Sequence, residues 1–224
     1  MRVSQDDFID FLYGMWAFVA CLGIALAAVW LLVGCTPGER PVLISAVRAE
    51  EFDTAPVAAR QYRAELTRNA RLSFGLNAPI PLLAGQIEQE SGWNTQATSR
   101  VGAAGLCQAM PGTARAFPDE QGLVEPYNPS WCLRLQSQYM KQLKDSVHYP
   151  RECDCLGAAL SSYNGGLGWH NKRQALAGNP TDYFNSVRTI NPGITPGNQH
   201  ENETYAPLIV QRQKHYLSWG APSC

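Results

Sequence analysis

The chain has 224 residues, with 18 Lys and Arg against 19 Asp and Glu, a formal net charge of -1 and 17% charged residues. That length holds one sizeable domain with a tail, and the near-zero charge excludes a strongly basic surface, so no nucleic-acid partner is expected. Six Trp and nine Tyr are many for this length; most of them read as core packing, although aromatic faces also stack on sugar rings.

Residues 15–34 form the most apolar run and contain no charge, and a helix of that length crosses a bilayer. The run closes on Leu32-Val33-Gly34-Cys35-Thr36, the pattern of a bacterial lipobox, which makes Cys35 a candidate for lipidation. The residues before it carry Arg2 but also Asp6, Asp7 and Asp10, where an export signal carries positive charge. A lipoprotein signal, an uncleaved anchor and a releasable anchor all stay open. Each places the rest of the chain in the periplasm, tethered to a membrane through residues 15–35. The chain then divides into a signal or anchor segment at 1–35, a linker at 36–56 with a short helix at 47–52, and a domain at 57–224.

In residues 57–72, Tyr62, Leu66 and Ala70 recur every four positions between charged neighbours, which predicts an amphipathic helix. Asn77-Ala78-Pro79 marks a turn, and Pro81 fits the first turn of the next helix, 80–90, which carries Leu82, Leu83, Gln86, Ile87 and Glu90. Glu88 and Glu90 are two apart and cannot share a helix face, so only one of them points into a cleft. Glycines 102 and 105 predict a tight turn or short hairpin. Further helices are expected at 111–117, 129–144 and 155–162, the last ended by Asn164-Gly165-Gly166. Residues 179–202, with Pro180, Pro192 and Pro196, read as loop, and a final helix is expected at 205–217 with Pro207 in its first turn. The reading is mainly helical.

Five of the seven cysteines lie beyond residue 35, which in an oxidising compartment suits one or two disulfides and one thiol left over. Cys107 reads as a small buried hydrophobe. Cys153-Asp154-Cys155 lacks a second pair at zinc spacing, with His148 alone nearby, so no metal is expected. Asp119, Glu125 and Asp154 read as solvated surface charges.

Four blocks carry chemistry: Gln89-Glu90-Ser91; Ser99-Arg100-Val101-Gly102-Ala103 running into Gly105-Leu106-Cys107-Gln108 and Met110-Pro111-Gly112-Thr113-Ala114; Ser161-Ser162-Tyr163-Asn164-Gly165-Gly166; and Glu201-Asn202-Glu203-Thr204-Tyr205. A single carboxyl at the end of an apolar helix suits protonation of a glycosidic oxygen, because an apolar pocket raises a Glu pKa toward neutrality. In type and order these blocks resemble the soluble-lytic-transglycosylase-like family of the lysozyme superfamily. The resemblance spans roughly 61–219 and implies a lysozyme-like catalytic domain, here preceded by an N-terminal hydrophobic membrane segment.

The resemblance further implies a peptidoglycan lytic transglycosylase that needs no cofactor. Glu90 would protonate the oxygen between N-acetylmuramic acid and N-acetylglucosamine, then as carboxylate take the proton of the muramyl C6 hydroxyl, giving an anhydromuramic end without water. Ser99 would lie near the reacting sugar, and Gln108 and Met110 would line the cleft floor. Tyr163 would bond near Glu90 and orient it. Asn164 would cap its helix or contact substrate, and Glu201 and Tyr205 match a helix-start pair in which Glu203 competes with Glu201. Ser91 would cap or buttress Glu90, and Trp93 would either pack or stack on a sugar. Most glycosidases use two carboxylates, and Glu90 is the only one with a catalytic signature. The alternatives are a hydrolysing muramidase on the same fold and a peptidoglycan-binding subunit of an envelope-spanning secretion, conjugation or phage-entry machine.

Overall fold

The computed structural model describes residues 54–178 and 181–224. The apolar run, Cys35 and the predicted helix at 47–52 lie outside the described residues. Among the described residues, no helix is long and apolar enough to cross a membrane.

The predicted helix at 57–72 is two helices, α1 (Val57–Arg60) and α2 (Arg63–Phe74). Between them Tyr62, at φ -94° and ψ -7°, departs from ideal helical geometry, and its ring stacks on Trp93 with centroids 5.7 Å apart. Helix α3 (Ile80–Ser91) starts with Pro81 in its first turn, where a missing N–H costs nothing. Its residues from Ile80 to Ile87 are all buried, so it is the central helix. It stops at Gly92 in the left-handed conformation. Of the two roles open for Trp93, it takes packing: it is buried, and its Nε1 donates to the Tyr216 hydroxyl at 2.7 Å.

The segment after α3 is held by two isolated antiparallel bridges, Thr98 to Ala104 and Ala104 to Ala109. This is the short hairpin expected around Gly102 and Gly105. Gly105 is required twice over: its φ is +74°, and a Cβ there would sit 1.7 Å from the Pro126 carbonyl oxygen. Cys107 is disulfide-bonded to Cys132, which corrects its reading as a simple buried hydrophobe. The bridge ties this segment to α5 (Pro129–Asp145), after the short α4 (Pro111–Ala116). Asn128 caps α5, its side chain accepting from the Ser130 and Trp131 amides.

Helix α6 (Glu152–Gly165) is longer than predicted. Asp154, read as a surface charge, is fully buried. Its carboxylate accepts from Arg151 Nε at 2.6 Å and from the Tyr183 amide at 3.1 Å, so this charge is paired and hydrogen-bonded. Cys153 pairs with Cys224, and Cys155 is the thiol left over among the described residues. Gly166 ends α6 at φ 94°, as the Asn-Gly-Gly signal predicts.

Helix α7 (Leu167–Leu176), in a stretch the sequence reading left unassigned, follows α6 at once. The region read as loop holds more structure than expected, with a single π-helical turn at Tyr183–Val187. The last helix, α8 (Pro196–Arg212), begins nine residues before the predicted start at 205 and continues as a 3₁₀ segment, Gln213–Trp219. Pro196 is in the first turn of α8 rather than in a loop, and the Thr195 side chain caps it by accepting from the Asn198 amide. Pro207 is therefore inside the helix. It cannot donate to the Glu203 carbonyl, and that oxygen accepts instead from Arg188 Nη1 at 3.4 Å.

Helix α3 packs against α8 and the 3₁₀ segment, while α6 packs against α5, α7 and α8. The approach of α3 to the end of α8 depends on Gly85, where a Cβ would lie 2.9 Å from the Gln213 amide nitrogen. Between α6, α7 and α8, the fully buried Arg173 donates to the Asn202 side-chain oxygen, to Gln199 Oε1 and to the Ile190 carbonyl. Such a buried cation is tolerated because every neighbour accepts from it.

Candidate active site

The end of α3, the 97–110 segment, the end of α6 and one face of α8 enclose a cavity of about 360 Å³. Glu90, Ser99, Gln108, Met110, Tyr163, Asn164, Glu201 and Tyr205 all line it. All the substrate-binding and catalytic residues picked out in the sequence thus meet in one place, although they come from four separate segments. Thr204 and Leu208 also line it. Together with Glu201 and Tyr205 they follow the i, i+3, i+4, i+7 spacing that puts residues on one helix face. A helix starting at 205 would not present that face, so the early start of α8 is what brings Glu201 into the cavity.

Glu90 ends α3 against apolar packing. Burial pushes its pKa up from 4.5 to about 7, aided by the nearby charge of Glu201 and opposed by a hydrogen bond from Tyr205. The Tyr205 hydroxyl donates to Glu90 Oε1. Tyr163, expected to hold Glu90, instead donates to the Cys107 carbonyl at 2.7 Å. It braces the disulfide-bonded segment that forms the opposite wall, and Tyr205 takes the orienting role. The reason is again helix length: Tyr205 lies a full turn beyond Glu201 inside α8, whereas the sequence reading put the partner of Glu90 on α6.

Glu88 faces the other way. It accepts from Arg212 Nη1 at 2.6 Å, from the Tyr216 hydroxyl at 2.8 Å and pairs with His215 at 3.0 Å. Burial alone would raise its pKa, but the bonds from His215, Tyr216 and Arg212 outweigh that and hold the carboxyl below its usual range. The two carboxyls, two residues apart on one helix, thus have opposite protonation tendencies near neutral pH.

The rest of the cavity is pre-ordered. Ser91 Oγ donates to the Leu106 carbonyl at 2.9 Å, joining the turn after Glu90 to the opposite wall. Ser99 Oγ accepts from the Ala103 amide at 2.9 Å. Gln108 sits at φ 44°, outside the usual range for a non-glycine residue. Its Nε2 donates to the Gly105 and Ala97 carbonyls at 2.9 and 3.2 Å, which stabilises that conformation. Met110 stands at the cavity rim, 44% exposed. Asn164 Nδ2 donates to Glu201 Oε1 at 2.9 Å, and its Oδ1 accepts from Asn202 at 2.9 Å. Glu203, the competitor for the Glu201 position, points elsewhere and meets Arg188 and Gln199. Glu201, one of the residues picked out in the sequence, thus places a second carboxyl in the cavity beside Glu90.

Fold and cavity together define a mainly helical, lysozyme-like domain with one carboxylic acid poised to stay protonated near neutral pH. Residues 75–184 match the transglycosylase SLT domain, the family that the four sequence blocks resemble. It is 31% identical over 117 residues to a membrane-bound lytic murein transglycosylase F of Histophilus somni, a match covering 49% of this chain and 23% of the relative. It is 30% identical over 119 residues to a transglycosylase of Enterobacteria phage PRD1, covering 51% of this chain and 41% of that protein. The chain therefore spans less than half the length of these curated relatives. Among solved structures, the 70 kDa soluble lytic transglycosylase of Escherichia coli superposes with a TM-score of 0.56 at 19% identity, over 72% of this chain and 25% of that one. The same enzyme in complex with bulgecin A gives a TM-score of 0.56 at 20% identity, over 72% of this chain and 25% of that one. At these identities the solved structures show the shared fold.

Proposed function

We propose that the domain is a peptidoglycan lytic transglycosylase with Glu90 as its only proton-transfer group. The observation that carries this reading is the placement of Glu90: half-buried at the cavity wall, its pKa raised to about 7 by desolvation, and held by Tyr205 in the cavity that gathers the four sequence blocks. Protonated Glu90 gives its proton to the glycosidic oxygen between N-acetylmuramic acid and N-acetylglucosamine as that bond breaks. The resulting carboxylate takes the proton of the muramyl C6 hydroxyl, whose oxygen closes on the anomeric carbon. One group serves as acid and then as base, and no water enters. Ser99, Gln108, Met110, Asn164 and Glu201 would contact the glycan, while Tyr163 and Tyr205 would keep wall and acid in place. The naming of both curated relatives as transglycosylases supports this reading.

Glu201 favours one second reading. A second carboxylate in the cavity would suit a hydrolysing muramidase, in which it activates a water. Its carboxylate is engaged by Asn164, which supports a binding role instead. Mass spectrometry of digested peptidoglycan separates the two, because anhydro and reducing ends differ by one water. Predominantly reducing ends would overturn the transglycosylase reading.

We also place the protein in the periplasm, tethered to a membrane through residues 15–35, where it would open peptidoglycan locally, for wall turnover or for an envelope-spanning machine. The two disulfides suit an oxidising compartment, and the Histophilus relative is named as membrane-bound. Fractionation of wild-type and Cys35→Ser cells tests it. A lipoprotein loses acylation on substitution, an uncleaved anchor is unchanged, and recovery of intact wild-type chain from the cytosol would sink both.

A further inference from the structure

Behind Tyr205 lies a chain of hydrogen bonds that none of the four sequence blocks contains. Gln86 stands one turn before Glu90 on α3, Gln136 lies on α5, and both are buried. Gln136 Nε2 donates to the Leu83 carbonyl at 3.0 Å and to Gln86 Oε1 at 2.8 Å. Both neighbours are acceptors, so the Gln136 amide can face them only with its nitrogen. Its Oε1 finds no partner among the described residues, which is the cost of that orientation. With Oε1 occupied, Gln86 turns its own Nε2 to the Tyr205 hydroxyl at 3.3 Å. A hydroxyl has one proton. Accepting from Gln86 leaves the Tyr205 proton for Glu90 Oε1, the bond observed. An Oε1 that accepts from Tyr205 is the unprotonated oxygen of a neutral Glu90, so the acid proton resides on Oε2.

We propose that Gln86 and Gln136 are positioning residues for the transfer step, setting the direction of the chain Gln136 to Gln86 to Tyr205 to Glu90 so that the transferable proton is kept on Glu90 Oε2. Without the direction set by the two glutamines, Tyr205 could equally accept from Glu90, which would turn the acid proton away from the glycan. The chain spends no charge in doing so: both amides are neutral and buried, and neither reaches the cavity lining. The titratable groups that face Glu90 are Tyr205 and Glu201 from α8 and Tyr163 from α6. Ser99 and Gln108, from the 97–110 segment, are neutral.

This inference rests on the transglycosylase reading for its catalytic meaning, but its test does not. The full chain, labelled with ¹³C at the glutamate carboxyl, is titrated by NMR as wild type, Gln86→Met, Tyr205→Phe and the double variant. Tyr205→Phe removes a donor to the carboxylate, so the Glu90 midpoint rises, by roughly half a pH unit or more. Gln86→Met leaves the Tyr205 hydroxyl free to turn, so the midpoint rises part of the way. The double variant matches Tyr205→Phe alone. Gln136→Met, which keeps Gln86 in place, shifts the midpoint in the same direction by less, and it carries the test should Gln86→Met not fold. In turnover assays on isolated glycan, Gln86→Met lowers kcat by about tenfold with KM unchanged. A Glu90 midpoint that does not move in a folded Gln86→Met or Gln136→Met protein overturns the proposal. So does an equal Gln86→Met shift in the presence and absence of the Tyr205 hydroxyl. Midpoints that move as described in a protein that cleaves no glycan leave the chain standing and overturn the enzyme reading instead.

Discussion

Replacing Glu90 by Gln should stabilise the domain above weakly acidic pH while abolishing its chemistry. Burial raises the Glu90 pKa from 4.5 to about 7, so the folded state binds this proton more tightly than the unfolded state does. Below about pH 4.5 both states are protonated and the carboxyl contributes nothing to the pH dependence. Between the two values the unfolded chain ionises and the folded one does not, which favours unfolding by about 1.4 kcal/mol per pH unit. Above about pH 7 both states are ionised and the penalty is constant. The full shift of about 2.5 units corresponds to roughly 3 kcal/mol, and solvent reaching the cavity side of the carboxyl brings the expected effect to about 2–3 kcal/mol. Gln keeps an acceptor for Tyr205 and has nearly the same volume, so packing should not obscure the comparison. The assay is urea unfolding of wild type and Glu90→Gln with disulfides intact, at about pH 4, 5.5, 7 and 8.5. The variant should gain nothing at the lowest pH, gain progressively, and reach its plateau above about pH 7, equivalent to several degrees in Tm. A difference that stays constant over that range would refute the argument that burial holds Glu90 protonated.

Three further outcomes follow from the same geometry. Glu90→Gln should lower glycan cleavage by roughly a thousandfold; wild-type cleavage should decline as pH rises through about 7, because only the protonated acid can donate, and a rate still rising there would contradict the assignment. Glu88→Gln, which the sequence suggests is neutral because Glu88 faces away from the cleft, should instead cost roughly 1–2 kcal/mol, since it weakens the bonds to Arg212, His215 and Tyr216; with its folded pKa depressed, the cost is present at neutral pH and is lost as pH falls through the folded value, which thermal melts at two pH values check. Substituting both Cys107 and Cys132 by Ala opens a link across 25 residues and should cost roughly 3 kcal/mol in unfolding assays; because Tyr163 bonds the Cys107 carbonyl, cleavage of long glycan should fall as well.

How much of this was legible in the sequence varied with the range of the interaction. Helices α3, α4 and α5 were predicted to within a residue or two, because their signals are local: prolines in the first turn, apolar spacing, and a glycine at the end of α3. The break between α1 and α2 was not, because it serves an aromatic stack between Tyr62 and Trp93, 31 positions on in the chain. Proline was misread twice. Pro196 was read as loop and Pro207 as a first-turn residue of a helix starting at 205. In the structure, Pro196 takes the first turn under the Thr195 cap, and Pro207 frees a carbonyl that Arg188 then satisfies. Cys107 read as an apolar residue because nothing local distinguishes a buried thiol from half of a disulfide. Asp154 read as solvated because one of its partners, the backbone amide of Tyr183, is 29 positions away in the chain, although Arg151 lies only three residues before it.

The candidate site was readable as a set of residues but not as a set of roles. A carboxyl at the end of an apolar helix is a sequence property, and the four blocks that resemble a known family located the other picked residues, but Thr204 and Leu208 became visible only once α8 was seen to start at Pro196. Which tyrosine holds the acid is not a sequence property. Tyr163 and Tyr205 are both buried or nearly so and both lie beside Glu90, and burial first, then the nearby Glu90 charge, raise both pKa values well above the ordinary range. The length of α8 and the close approach allowed by Gly85 decide between them, by setting Tyr205 rather than Tyr163 within bonding distance of Glu90. Gln86 was visible as a polar residue one turn before Glu90 in an apolar run, a position where an amide must find a buried partner or destabilise the helix packing. That partner is on α5, and it binds through the same amide that fixes the direction of the Tyr205 bond. The acid at the end of α3 therefore depends on a residue 46 positions further along the chain than itself, which no motif built around Glu90 could include.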